Sequence, residues 1–228
     1  MKFSFIIPTK NEGKYLDGCL RSIRAQSIKD YEIIVVDTNS RDRTKAIARG
    51  HGAKVINEPI KGPAAARNAG AKVARGRILV FCDADVWVDR YFLEKIDSKF
   101  KNDIGGCIFR IRTYDAGTKA YEIAYAYANM VAKVCNSIGS PVTIGSCFAF
   151  RRDIFFKVNG FNEKMLTNED HDLANRVNKI KRFMFFGDIV VETSARRLNS
   201  LGILKILKIY TKSSFLYVLN KSYLRDYW

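Results

Sequence analysis

Four short apolar runs, each ending in a polar turn and separated by helical stripes, constrain this chain more than any other feature. Phe3 to Ile7 stops at Pro8, and Leu16, Leu20 and Ile23 then recur at the spacing of an amphipathic helix. Ile33 to Val36 is a β-branched run suited to a strand buried on both faces, and it ends in Asp37-Thr38-Asn39-Ser40, a cluster of turn and cap formers. A helix is expected from near Thr44, a third strand at Val55 to Ile56, an alanine-rich helix over Ala64 to Val73, and a fourth strand over Ile78 to Cys82. Leu93, Ile96 and Phe100 mark another helix. Alternation of this kind specifies an α/β fold on a mostly parallel sheet.

The second half changes character. Ile104 to Thr113 reads as a strand, Ala120 to Val134 as a helix, and Gly145-Ser146-Cys147 leads into a short strand reaching Phe150. A helix is expected near Asp153 to Val158, another opening at Glu169-Asp170 with Leu173, Val177 and Ile180 on one stripe, and a last strand over Phe183 to Thr193. The 228 residues show no repeat and no Pro-, Gly- or Ser-rich linker, so one domain is expected over 1–197, with a tail over 198–228.

In a parallel sheet the four polar clusters emerge at one carboxyl edge, where open α/β sheets bind ligands. These are Thr9 to Glu12, Asp37 to Asp42, Lys61 to Asn68 and Asp83-Ala84-Asp85. In an extended segment Asp83 and Asp85 would point the same way, and paired carboxylates invite a hard divalent cation; the bland alternative is a cap for a helix beginning near Tyr91. Lys61 to Asn68 opens a helix with small residues and cations, which suits an anionic ligand or a solvated face, and it has neither Walker A nor G-x-G-x-x-G spacing. Glu169-Asp170 reads either as chemistry or as acid complementing a helix start, and His171 as a packing or surface residue.

Composition narrows the function classes. Lys plus Arg number 39 against 23 acids, a formal charge of +16 that requires an anionic partner of some kind. The five cysteines are widely spaced without a C-x-x-C pair, and the histidines number two, so a disulfide framework or a His-rich metal site is disfavoured. No signal-peptide pattern opens the chain and no run approaches the roughly 18 apolar residues of a spanning helix. A cytoplasmic, reduced protein is expected.

Taken in order, these motifs resemble the family 2 glycosyltransferases over roughly the first 195 residues. Phe5-Ile6-Ile7-Pro8-Thr9-Lys10-Asn11-Glu12 is similar to the family's opening strand and turn. Ile33-Ile34-Val35-Val36-Asp37, with Ser40, Asp42 and Thr44, is similar to its second motif, and Gly62 through Arg67-Asn68 and Gly70 to its phosphate-side helix. Asp83-Ala84-Asp85 resembles the D-x-D motif, Gly145-Ser146-Cys147 with Arg151-Arg152 the acceptor-side strand, and Gly160-Phe161-Asn162-Glu163 the loop before the acid pair Glu169-Asp170.

The resemblance implies a GT-A fold, a single Rossmann-like sheet flanked by helices, and a nucleotide-sugar donor linked to UDP, GDP or dTDP. It implies that Pro8, Thr9, Glu12, Asp37, Lys61, Arg67, Asp83 and Ala84 line the donor pocket. Asp85, with Asp83, would hold Mn²⁺ or Mg²⁺, Gly145 and Ser146 would face the acceptor, and Asp170 beside Glu169 would be the general base of an inverting displacement. In one place the chain departs from the family. Where several relatives have a histidine after the last core strand, this chain has Glu192-Thr193-Ser194-Ala195-Arg196-Arg197, whose arginines read as diphosphate contacts or as a solvated pair.

Beyond Arg197, Ile203, Ile206, Leu207 and Tyr210 suit one helical face and Lys205, Lys208 and Lys212 another. Such a basic amphipathic tail fits an anionic membrane surface carrying a lipid-linked acceptor, or packing on the catalytic domain or on a second subunit, with a saccharide acceptor as the other option. Two further functions compete. A nucleic-acid-binding module would answer the charge but not the clustered acids, and a sugar-phosphate nucleotidyltransferase would share the nucleotide site.

Overall fold

The computed structural model describes residues 1–60, 62–115, 118–165 and 167–202. The expected donor-site residue Lys61, and the amphipathic tail with its membrane-surface reading from 203 onward, lie outside the described residues.

The first half builds as its pattern predicts. Strands β1 (Phe3–Thr9), β2 (Tyr31–Asp37), β3 (Lys54–Asn57) and β4 (Ile78–Cys82) alternate with helices α1 (Leu16–Arg24), α2 (Thr44–Gly50) and α3 (Pro63–Val73). A short strand β5 (Val86–Val88) and helix α4 (Phe92–Lys99) follow. The second half contains β6 (Ile104–Thr113), α5 (Lys119–Ser137), β7 (Cys147–Arg151), α6 (Arg152–Lys157), α7 (Glu169–Asn178), β8 (Arg182–Thr193) and α8 (Arg196–Leu201).

The eight strands form one sheet in the order β3-β2-β1-β4-β7-β6-β8-β5. Parallel pairing joins β3, β2, β1 and β4, and also β6 with β8, whereas β7 runs antiparallel to β4 and β6. Because β7 reverses direction between them, β4 and β6 point the same way. The carboxyl ends of β1, β2, β3, β4, β6 and β8 therefore share one edge, and the segment entering β7 begins there too.

Strand alternation sorts the apolar side chains onto two faces. Phe3, Phe5, Ile7, Ile33, Val35, Val80 and Cys82 pack with Leu16, Leu20 and Ile23 of α1 and Phe92, Leu93 and Ile96 of α4. Ile6, Ile34, Val36, Leu79 and Phe81 pack with Ala64, Ala66 and Ala71 of α3 and Leu173, Ala174 and Val177 of α7. Burial on both faces is what the unbroken apolar runs demand. Small residues let α3 lie close to the sheet: a Cβ on Gly70 would stand 2.4 Å from Ile6 Cγ2.

Two details differ from expectation. Residues 86–88 are not among the expected strands, yet β5 pairs antiparallel with β8, Val86 opposite Thr193. Asp83-Ala84-Asp85 is also not extended: the chain turns there, with the Val86 amide donating to the Asp83 carbonyl at 3.2 Å. The turn is forced by the reversal from β4 into β5, and it sends the two carboxylates to different partners. Nor does the acid pair cap α4, because Asp89 accepts the Tyr91 amide at 2.7 Å.

Candidate active site

The turns after β1 and β2 are laced together. The Ser40 hydroxyl accepts the Asn11 amide at 2.9 Å, the Thr44 hydroxyl accepts the Glu12 amide at 2.8 Å, and Asp42 accepts the Gly13 amide at 2.9 Å. Asn11 sits at φ 56°, a left-handed conformation that asparagine tolerates, and its side chain accepts the Arg41 amide. Thr9 is buried with its hydroxyl donating to the Val36 carbonyl, and Pro8 precedes it on β1. Asp37 is fully buried at the end of β2. Its Oδ2 accepts the Ser40 amide at 3.0 Å and faces Lys45 Nζ at 3.4 Å, while Oδ1 has no hydrogen-bond partner. A buried carboxylate oxygen left open is costly unless a ligand donates to it.

Arg67, on the first turns of α3, joins the two halves. Its guanidinium is 5% exposed, donates to Glu169 Oε1 at 2.7 Å and to Asp83 Oδ1 at 3.1 Å, and lies over the rings of Phe148 and Phe161 at 5.1 and 5.6 Å. Asn68 beside it bonds both the carbonyl and the amide of Phe161, fixing the loop that leads to α7. The Gly145-Ser146 segment, expected on the acceptor side, closes against the same residues. The Ser146 carbonyl accepts the Asp83 amide at 2.9 Å, and a Cβ on Gly145 would stand 3.7 Å from Asp170 Oδ2.

The acids Glu169 and Asp170 are adjacent but electrostatically unlike. Burial, and then the charge of Asp170, push the Glu169 carboxyl up, which Arg67 offsets in part. Burial also opposes ionisation of Asp170, yet the charge and hydrogen bond of His171, the Thr143 hydroxyl and Arg67 hold it well below the usual carboxylate range. His171 Nδ1 lies 3.1 Å from Asp170 Oδ1 and 2.9 Å from Thr143 Oγ1. Environments that separate two neighbouring carboxyls in this way keep Asp170 ionised while Glu169 takes up a proton more readily.

A second arginine joins the turns after β1 and β4. Arg196, at the start of α8, binds Glu12 through both carboxylate oxygens at 2.6 and 2.9 Å and Asp85 Oδ2 through Nε at 2.7 Å. Buried Ala84 lies between Asp83 and Asp85 in the turn. Glu12, Asp37, Asp83, Asp85, Glu169 and Asp170 gather here with Lys45, Arg67 and Arg196 between them. Two carboxylates on one turn are a donor set that a hard divalent ion accepts when phosphate and water complete its shell. Among the described residues no three His, Cys, Asp or Glu side chains form a ready-made metal cage.

Sequence reasoning missed Lys45, Thr143 and the role of His171. Lys45 is one of several lysines in a polar stretch, and Thr143 lies far from Asp170 in the chain. The signal for His171 was its adjacency to the acid pair.

Comparison with known proteins bears on the family and the fold. The family model "Glycosyl transferase family 2" matches residues 4–158. The glycosyltransferase AglE of Haloferax volcanii is 30% identical over 200 residues, covering 82% of this chain and 65% of that protein, so the chain spans less than two thirds of that relative. Among solved structures, the mannosyltransferase PcManGT from Pyrobaculum calidifontis, in complex with GDP-Man and Mn²⁺, superposes with a TM-score of 0.72 at 23% identity, covering 85% of this chain and 57% of that one. S. aureus TarS in complex with UDP-GlcNAc gives a TM-score of 0.65 at 21% identity over 85% of this chain and 58% of that one.

Proposed function

From the premise that the chain belongs to glycosyl transferase family 2 and has the GT-A fold of its structural neighbours, we propose that it transfers a sugar from a nucleoside-diphosphate sugar to an acceptor, with inversion. Membership of that family displaces the nucleic-acid-module and nucleotidyltransferase alternatives. The observation that carries the reading is Arg67, whose buried guanidinium ties Asp83 after β4 to Glu169 at the head of α7. Donor-side and acceptor-side acids thereby stand around one space.

The residues divide the work. The open Oδ1 of Asp37 accepts an N–H of the nucleoside base, with Pro8, Thr9 and Glu12 forming the floor and rim of that pocket. Asp85, helped by Asp83, would hold Mn²⁺ or Mg²⁺, which when bound offsets the charge growing on the leaving diphosphate. The Asp83 and Asp85 carboxylates would repel a diphosphate arriving beside them without such a cation. Arg67 holds Asp83 and Glu169 in place. Asp170, kept ionised, removes the proton of the acceptor hydroxyl, a contribution of typically about 10²–10⁴ in rate. Gly145, without a side chain, and Ser146 leave room beside Asp170 for that acceptor.

Acceptor class follows the same logic. A saccharide hydroxyl needs a base, whereas a lipid-linked phosphate is already anionic and would need Asp170 to position it. Among the described residues no helix is long and apolar enough to cross a membrane. Melting measured with UDP, GDP, dTDP and CDP sugars, with and without Mn²⁺, tests the reading. One nucleotide class should raise the melting temperature, and more so with Mn²⁺; no shift with any nucleotide under either condition contradicts the donor site.

A further inference from the structure

We propose that Arg196 is a resident counter-ion of the donor site, which a divalent cation must displace from Asp85 before it can bind there. The inference rests on the donor-site reading above and adds a residue to it. Arg196 is held by design of its surroundings: the Ser194 amide donates to the Asp85 carbonyl at 3.3 Å, the Ser194 hydroxyl to Asp115 Oδ2 at 2.6 Å, and the Ala195 amide to Asp115 Oδ1 at 2.5 Å. Pairing of β5 with β8 brings this segment beside the acidic turn. From there the guanidinium spans Asp85 and Glu12 and covers the Tyr15 ring at 4.6 Å.

A guanidinium donating to Asp85 Oδ2 neutralises that carboxylate and repels a divalent ion approaching it, so the ion gains the full charge of Asp85 only as the guanidinium withdraws. The side chain is 27% exposed, so withdrawal into water is open to it. A diphosphate changes the balance twice, by supplying oxygens to the metal and by offering the released guanidinium a bidentate partner. Metal alone therefore binds weakly, and metal with a nucleoside diphosphate binds strongly.

The test is a titration of the full chain with Mn²⁺ alone, followed by the electron paramagnetic resonance of the free ion. Arg196→Gln should bind Mn²⁺ at least tenfold more tightly than wild type, and Asp85→Asn should bind it negligibly. Equal or weaker binding by Arg196→Gln, with Asp85→Asn still negligible, overturns the role of Arg196 and leaves the donor site standing. Asp85→Asn binding as wild type does overturns both. Should Arg196→Gln fail to fold, wild type decides: saturating Mn²⁺ should speed amide hydrogen exchange across residues 194–202, and unchanged or slower exchange overturns the proposal.

Discussion

Arg67 carries the heaviest structural load of any side chain at the site, because its charge is buried and shared between Asp83 and Glu169. Replacing it with methionine keeps the stem that packs on Phe148 and Phe161 but leaves two acids uncompensated. Removing one partner of a buried ion pair costs about 3–5 kcal/mol, so urea unfolding of Arg67→Met should show a loss of that order. A loss below about 1 kcal/mol would mean the acids find water instead. His171 gives a signature in pH. Burial works against its charge, but Asp170 and Glu169 raise its pKa above the ordinary 6.5. A raised histidine stabilises fully below its unfolded value and loses that contribution as pH rises through the folded one. The stability of wild type relative to His171→Gln, followed by urea unfolding at each pH, should therefore shrink as pH rises above about 6.5. Parallel profiles would remove His171 from the account of Asp170.

At the scale of elements, α3 shows how the site is held against the sheet. Its inner face is Ala64, Ala66, Gly70 and Ala71, which bring the helix close to Ile6 and Val36. Gly70→Ala should improve helix propensity by up to about 1 kcal/mol, yet the added methyl meets Ile6 Cγ2 at 2.4 Å. Overpacking costs about 1–3 kcal/mol and should win, giving a net fall in thermal stability. A more stable variant would show that α3 can retreat. The elements legible in the sequence are those with enough residues to show a period: β4 and β6 fall where their apolar runs end, and α1 follows Leu16, Leu20 and Ile23. With three residues, β5 is too short to show alternation, and its strand character comes from pairing across β8. The same pairing turns Asp83-Ala84-Asp85 back on itself, which is why a local argument from extended geometry misdirected the two carboxylates. The contacts of Arg67 with Glu169 and of Arg196 with Glu12 span more than 100 residues of chain, a distance over which spacing gives no signal.

Across the whole molecule, a basic chain of net charge +16 gathers Asp37, Asp83, Asp85, Glu169 and Asp170 at one sheet edge. That contrast suits a surface that draws in anionic donors and a cleft that takes them together with a cation. The motifs in chain order identified the family, and the strand directions explain why motifs so far apart can cooperate: they all reach the same end of one sheet. Roles at that edge are the account's central claim, and binding tests them most directly. Calorimetric titration of the nucleotide that most raises the melting temperature, with Mn²⁺ present, should be run on wild type, Asp37→Asn and Asp85→Asn. Both variants should bind at least tenfold more weakly, and Asp85→Asn should also lose its response to Mn²⁺. Wild-type affinity in either variant would contradict a single donor site built from the ends of β2 and β4.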